Sequence, residues 1–514
     1  MLRHARNARR LIRIAIVLAR HDALFPLELL GVAPVSRRAA RLIARRAKGK
    51  RPGQRLAEAL VALGPSFIKL GQSLATRPDL LGEEVAADLS ALQDKLPPFP
   101  APEARKIIEA QLDAPVETLY RSFEDEPVAA ASIAQVHFAV TTEGEEVAVK
   151  VLRPGIEAAF KRDLDLFYWI AEWVERMRPS LRRLKPVAVV ETFADSVAVE
   201  MDLRMEAAAA SELGQNFEGD PTFRVPRVDW RRTAQRVLTT ERVIGIPVDR
   251  RVELTAAGHD VRLILKKAAE IFFKQAFRDG FFHADQHPGN AFVDAEGAIV
   301  AVDFGIMGRV DKATRHFLAD MLLGFLQADY ARVAEVHFRA GYVPAHKDKD
   351  AFTQAIRAIA EPILGLPLAE ISLAKLLGLM FQVTERFEME TQPQLLLLQK
   401  TMLVTEGIGR KLDPTINMWE LARPLVEDWM REHRGPLARA RESAETVREL
   451  VERAPMILRG IERAASDIAE GGVRLHPDTL EALRRSEPPR PAPQWPLWLT
   501  VGALGVAVVW LLAR

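Results

Sequence analysis

Not one cysteine occurs in the 514 residues. That removes any disulfide framework and any thiolate metal site, and it suits a reducing compartment. An excess of one charge is missing as well: 71 Lys and Arg against 69 Asp and Glu leave a formal net charge of only +2. With no nucleic-acid recognition motif present, no nucleic-acid partner is expected. The start of the chain lacks the pattern of a signal peptide, because Arg13 interrupts a short apolar core and no small-residue cleavage site follows. Long apolar runs are missing until the far end, where the nineteen residues Trp495 to Ala513 carry no charge. At 1.5 Å rise per residue they would cover about 28 Å, close to one hydrocarbon thickness. Arg484, Arg485 and Arg490 precede the run and only Arg514 follows it, so a single-pass anchor with a cytoplasmic body is expected.

What charge there is lies unevenly. Residues 1 to 55 hold fifteen Lys and Arg against Asp22 and Glu28 alone, which leaves the remainder at about −11. Leu11 to Arg20 is apolar with interspersed arginine, a basic amphipathic start suited to an anionic membrane surface.

The chemistry concentrates in His283-Ala-Asp285-Gln286-His287-Pro-Gly-Asn290 and in Val302-Asp303-Phe304-Gly305. Asp285 stands five positions before Asn290 and eighteen before Asp303, the register in which a kinase catalytic loop and its metal-binding DFG loop face one nucleotide. A transferring phosphoryl group spreads negative charge over its oxygens, so the site needs divalent cations and oxygen donors to hold them. Asn290 and Asp303 would supply those oxygens to Mg²⁺, leaving Asp285 to orient or deprotonate the nucleophile. Ala291–Val293, the turn Asp294–Gly297 and Ala298–Val302 read as a hairpin that sets the two loops side by side. A rival reading takes His283, Asp285 and His287 as a two-histidine-one-carboxylate iron site, but it leaves Asn290 and Asp303 without a role.

A kinase also needs a lysine at the end of an upstream strand. Val147-Ala-Val-Lys150 provides it, on the second strand of a hairpin begun by Val136–Val140, with Lys150 placed for the α- and β-phosphates. Glu206 is the candidate partner of Lys150, and Glu200 the alternative. The 56 positions between Lys150 and Glu206 predict an inserted helix over 163–177, stopped by Arg178-Pro179. Thr239–Val243 reads as the hinge between lobes, which sets Glu241 and Val243 against the nucleotide.

Two kinase elements are absent. The glycine-rich phosphate loop is replaced by Ala129-Ala130-Ala131-Ser132-Ile133-Ala134, whose methyl groups restrict the close backbone approach that glycine permits. No Ala-Pro-Glu follows the DFG sequence, so a peptide-docking activation segment is not expected.

Together the alanine-rich loop, the VAVK lysine, HADxHPGN and DFG resemble the UbiB-type atypical kinase-like family, linked to ubiquinone biosynthesis. Phe67-Ile-Lys69-Leu-Gly71-Gln72, continued by Thr76–Leu80 and Leu92-Gln93-Asp94, matches its KxGQ segment, and Glu200-Met201-Asp202 matches its ExD motif. The resemblance implies that Lys69 and Gln72 face the nucleotide pocket and that Glu200 and Asp202 meet them. Ala209 stands where the family carries an asparagine after ExD. Gln399-Lys400 through Asn417 matches its EGxxRxLDPxxN region, read as a structural helix ended by Asp413-Pro414.

The expected architecture is α+β, an atypical bilobal protein-kinase-like fold with an N-terminal helical extension and a C-terminal transmembrane tail. Its parts would be a basic helical extension with the KxGQ segment (1–100), an N-lobe with a helical insertion (101–240), a helical C-lobe (241–430), a helical and Pro-rich linker (431–494) and a membrane helix (495–513). ATP and Mg²⁺ are the implied cofactors. Membrane lipid, prenylphenol or quinone intermediates and quinone-biosynthesis proteins are the implied partners, at the cell inner membrane. An atypical kinase or ATPase acting on a small or lipid-associated acceptor is expected. A non-enzymatic nucleotide-binding scaffold and an iron-dependent prenylphenol hydroxylase are the alternatives.

Overall fold

Leucine, isoleucine and alanine recur at helical spacing in residues 2–20, 52–75 and 83–90, and the computed structural model places helices there. It describes residues 2–25, 49–75, 82–90, 92, 96–177, 186–362 and, with gaps, 383–431. Helix α1 (Leu2–Arg20) buries Ile14, Leu18 and Ala19 and leaves Arg9, Ile12, Arg13, Ile16 and Arg20 exposed. Helices α2 (Pro52–Leu63) and α3 (Pro65–Ala75) each begin on a proline, whose fixed φ suits the first helical position, and are parted by Gly64 at φ +107°. They pack with α4 (Glu83–Ser90). Gly71 makes that packing possible, since a Cβ there would lie 2.6 Å from Leu60 Cδ1 and from Leu92 Cδ1.

Helix α5 (Ala101–Leu112) leads into an antiparallel sheet of β1 (Tyr120–Phe123), β2 (Ala129–Ala130), β3 (Ala134–Thr141), β4 (Glu146–Leu152) and β6 (Val237–Glu241). The order is β1-β3-β4-β6, with β2 folded back onto β3. Alternation along β4 buries Val147, Val149 and Val151 beneath α5, and so points Lys150 to the opposite face. Strand β6 runs through Thr239 to Glu241, so the first half of the expected hinge is ladder: Thr239 is fully buried and bonded to the Tyr120 hydroxyl at 2.8 Å. The hinge proper begins after Glu241.

Between β4 and β6 the chain inserts helices rather than the single one expected over 163–177. Helix α6 (Ile156–Met177) starts seven residues earlier, directly after Arg153-Pro154-Gly155, where Gly155 turns the chain at φ +67°. Helix α7 (Pro186–Glu200) follows, and its β-branched start hid it from a helical reading. The expected stop, Arg178-Pro179, lies outside the described residues. Helix α8 (Leu203–Asn216) is capped by Asp202, whose Oδ1 accepts from Arg204 N at 3.1 Å. One hydrophobic cluster joins α1 (Ile14, Leu18), α2 (Leu56, Leu60), α3 (Phe67) and α6 (Phe160, Phe167) to Leu203, Ala207 and Leu238, which anchors the N-terminal extension on the small lobe. Part of the basic charge of α1 is used inside the fold, where Arg6 and Asn7 bond Asp165 and Arg10 bonds Asp163.

A second sheet joins β5 (Phe223–Arg224), which precedes β6 in the chain, to three strands beyond the hinge, in the order β5, β10 (Ile299–Ala301), β9 (Ala291–Val293) and β7 (Ile246–Pro247). It packs on α9 (Val261–Phe273). A third pair joins β8 (Phe281–His283) to β11 (Met307–Arg309). Helices α10 (Lys312–Leu326), α11 (Tyr330–Arg339) and α12 (Lys349–Ala360) form a helical layer around Val333, Phe352 and Ile356. Helix α13 (Pro393–Leu412) returns to the second sheet, burying Leu398 among Phe277, Phe282 and Ala284, and Ile408 and Leu412 among Ile264, Leu265 and Phe304.

The expected membrane helix at 495–513, the linker over 432–494, the KxGQ continuation Thr76–Leu80, Gln93-Asp94, and Pro414 and Asn417 lie outside the described residues. Among the described residues no helix is long and apolar enough to cross a membrane, so the single-pass anchor finds no support there.

Candidate active site

Strand β4 aims Lys150 into the cleft, and α8 brings Glu206 to meet it. Lys150 Nζ donates to Glu206 Oε1 and Oε2 at 2.8 and 2.9 Å and to Asp303 Oδ1 at 3.0 Å. Glu206 also accepts from Phe304 N at 3.2 Å, so one carboxylate ties the small-lobe lysine to the DFG loop. Asp303 itself sits at φ +62°, a left-handed conformation that a non-glycine residue holds at a cost of about 1–2 kcal/mol. Strain of that kind persists where the surroundings impose it.

Electrostatics follow from the crowding. Burial works against the Lys150 ammonium, but the Asp303 and Glu206 carboxylates outweigh it and hold Lys150 well above the ordinary lysine range. Burial pushes Glu206 up; Lys150 pulls it down, the Asp303 charge adds to the rise, and it settles at about 7. For Asp303, burial also acts upward, yet Lys150 wins and holds the carboxyl well below its usual range. The Asp303 side chain is 48% exposed to the cleft, so solvent relieves part of its burial penalty. It is the carboxylate free to take a further cation.

The catalytic-loop sequence is held by backbone geometry. Val302 N donates to Asn290 O at 2.9 Å at the open end of the β9–β10 hairpin, which sets Asn290 beside the strand that leads to Asp303. Asn290 Nδ2 donates to Asp285 O at 3.0 Å. Asn290 Oδ1 has no protein partner among the described residues. The donor set, one carboxylate and one amide oxygen, fits a hard divalent cation such as Mg²⁺.

His283 is fully buried, and Asp285 N donates to its Nδ1 at 3.2 Å. Nε2 must therefore carry the proton that it shares with Val302 O at 3.2 Å. Burial lowers its pKa, so this imidazole is a neutral pin between the two loops. His287 Nδ1 accepts from Gly289 N at 2.9 Å. Both nitrogens of His283 are thus occupied, and an iron ion could bind it only by breaking the bonds that shape the loop. This geometry disfavours the two-histidine-one-carboxylate reading.

The remaining expected residues divide. Lys69 Nζ lies 2.8 Å from Glu200 Oε2, both largely buried, and the Lys69 charge also reaches Asp303. Asp202 does not join them: it caps α8 and pairs with Arg204 Nη2 at 2.6 Å. Gln72 Nε2 points to Leu92 O at 3.5 Å, on the α4 side of α3. Glu241 turns its carboxylate outward to Arg224 at 2.9 Å and Arg227 N at 3.4 Å, and its own N–H donates to Arg227 O. Val243 N–H has no backbone partner among the described residues.

The alanine-rich segment is a tight hairpin. Ala129 and Ala130 pair with Val136 and Gln135, and Ala131 N donates to Ala134 O at 2.8 Å. Arg153 fastens it to the exit of β4 through Nε to Ala131 O at 3.0 Å and N to Ile133 O at 2.8 Å. Ser132 Oγ is buried with no hydrogen-bond partner among the described residues.

One site residue escaped the sequence reading. Lys400 of α13 donates to Asp285 Oδ1 at 2.9 Å across 115 positions. In sequence it is an ordinary helical lysine; only its place in the Gln399–Asn417 region could have drawn attention to it.

Comparison with known proteins identifies the family. Residues 91–337 match the ABC1 atypical kinase-like domain, and residues 356–417 match the UbiB helical domain. A probable protein kinase UbiB of Azotobacter vinelandii is 41% identical over 523 residues, covering 96% of each chain. One from Marinobacter nauticus is 47% identical over 388 residues, covering 75% of this chain and 71% of its own. A solved structure, the Rv3197–erythromycin complex from Mycobacterium tuberculosis, is similar with a TM-score of 0.52 at 25% identity, covering 69% of this chain and 90% of that one. The chain belongs to the UbiB family of atypical kinase-like proteins.

Proposed function

We propose that this protein binds Mg-ATP in the cleft between the β4 sheet and the catalytic loop, and turns it over in support of ubiquinone biosynthesis at a membrane. The observation that carries the reading is the three-way contact of Lys150 with Glu206 and Asp303. Lys150 would meet the α- and β-phosphates, and the free backbone N–H of Val243 would meet the base. Asn290 and Asp303 would hold Mg²⁺, which neutralises charge on the phosphate oxygens. Asp285 Oδ2 would take the proton of the attacking hydroxyl or water. As that oxygen bonds to the γ-phosphorus, the bond from phosphorus to the bridging oxygen breaks and ADP leaves with the electron pair.

The absence of a peptide-docking motif and the Lys69–Glu200 pair beside Asp303 favour water, a small molecule or a lipid-associated group as acceptor over a peptide. The outer stripe of α1, with Arg9, Arg13 and Arg20 around Ile12 (62% exposed) and Ile16, suits an anionic lipid surface. The uncharged run Trp495–Ala513 would add an anchor, leaving the catalytic body on the cytoplasmic side of the inner membrane. ATP turnover with and without anionic vesicles and a prenylphenol-like compound tests the reading. Stimulation by both is expected in the wild type and none in Asp303→Asn; efficient phosphorylation of a peptide would contradict it.

A second reading, a nucleotide-switched scaffold for membrane-bound biosynthetic enzymes, draws on the Arg153 clamp that stitches the alanine loop shut. Asp285→Asn separates the two. If it binds nucleotide and fully supports quinone production, turnover is dispensable and the scaffold holds.

A further inference from the structure

We propose that Lys400, from the C-terminal helical region rather than the kinase-like domain, is the positioning residue of Asp285; this rests on the reading of Asp285 as the group that takes the nucleophile's proton. Three observations converge. First, the loop His283–Asn290 contains no lysine or arginine of its own. Lys150 is engaged by Glu206 and Asp303, and Lys69 pairs with Glu200, so neither is placed to steady Asp285. Second, Lys400 Nζ holds Asp285 Oδ1 at 2.9 Å, and Oδ2 has no protein partner among the described residues. One oxygen is fixed, which leaves the other for the nucleophile's proton. Third, the donor is rigidly mounted. Its neighbour Thr401 is fully buried with Oγ1 bonded to Leu397 O at 2.9 Å, and Leu398 packs among Phe282 and Ala284, directly under the loop.

The bland alternative is a surface ion pair. With the Lys400 and Asp285 side chains 37% and 27% exposed, such a pair contributes little to stability. That weakness makes the test clean, because losing the pair should leave the fold intact while misplacing one carboxylate oxygen. Displacing a reacting group by about 1 Å can cost on the order of a hundredfold in rate. The helical region is then part of the active site, and anything that shifts α13 gates turnover.

The experiment compares ATP turnover by the full chain with magnesium for wild type, Lys400→Met, Lys400→Arg, Asp285→Asn and Lys400→Met/Asp285→Asn. Lys400→Met should lower kcat roughly tenfold to a hundredfold, leave KM for ATP within about twofold, and leave the thermal midpoint unchanged. Lys400→Arg should recover most of kcat, and in the Asp285→Asn background the methionine should cost nothing further. Wild-type kcat in Lys400→Met, failure of arginine to rescue, or additive losses in the double variant would each overturn the inference and leave the proposed function standing. Absence of ATP turnover in the wild type would overturn both.

Discussion

Removing Glu206 and neutralising Asp303 both take one carboxylate from Lys150, yet the surroundings predict very unequal consequences. The Glu206 side chain is only 8% exposed and Lys150 only 16%. Truncating one member of a buried pair costs about 3–5 kcal/mol, because it strands the other charge. Asp303 still holds Lys150 at 3.0 Å, which pulls the cost toward the low end, about 3 kcal/mol. Phe304 N loses its acceptor as well, adding about 1 kcal/mol. Glu206→Ala should therefore cost ~4 kcal/mol. In Asp303→Asn, by contrast, Lys150 keeps both bonds to Glu206 and the altered side chain is half in solvent, so less than ~1 kcal/mol is at stake. Asparagine also tolerates the left-handed backbone at this position better than most residues. Urea unfolding above about pH 8, where Glu206 is ionised, followed by circular dichroism, measures both. A loss in Glu206→Ala no larger than that in Asp303→Asn would show that Lys150 and Glu206 are not the buried link assumed here.

Three further outcomes follow from the same geometry. Lys69→Ala should be destabilising because it removes a largely buried partner of Glu200, while the Lys69→Ala/Glu200→Ala double variant should recover part of the loss; unfolding free energies that simply add would contradict the pairing. Gly280→Ala places a Cβ 2.4 Å from Val310 O at φ +66°, so about 3 kcal/mol should be lost and β8 displaced, visible as early amide exchange at Phe281 to His283. Asp220 is pushed up by burial but pulled down more strongly by Lys274 and Thr222, to about 2 from an ordinary 3.8. Its folded value is depressed, so its contribution is present above about pH 4 and lost as pH falls toward 2. After discount for solvent screening, Asp220→Asn should be less stable than wild type by about 1 kcal/mol at neutral pH, and the two unfolding curves should converge near pH 2.

Much of the site was legible because its signals are local. Asp294-Ala-Glu-Gly297 is turn chemistry between apolar strands, and the observed hairpin pairs Val293 with Ile299 as that reading requires, with Gly297 at φ +77°. Val136–Val140 and Val147–Leu152 were likewise legible as a hairpin with Lys150 on its second strand, and the two strands pair antiparallel as that reading requires. Helix α7 was missed because Val187, Val189, Val190 and Thr192 are β-branched and mask a helix that tertiary packing of Phe193 and Val197 secures. Asp202 was assigned to the site although Asp202-Leu-Arg-Met opens a helix; its cap role was readable from position alone. Lys400 was illegible for a different reason. Its partner stands 115 positions away, and nothing in helical periodicity distinguishes a lysine in solvent from one that reaches across a cleft.

The central claim is that Lys150, Glu206, Asn290 and Asp303 form a magnesium-dependent nucleotide site. Calorimetric titration of the full chain with ATP, with and without Mg²⁺, tests it directly in wild type and Asp303→Asn. ATP binding should tighten with Mg²⁺ in the wild type and lose that dependence in the variant, with the fold unchanged. ATP binding that ignores Mg²⁺ in both proteins, or no binding in the wild type, would contradict it.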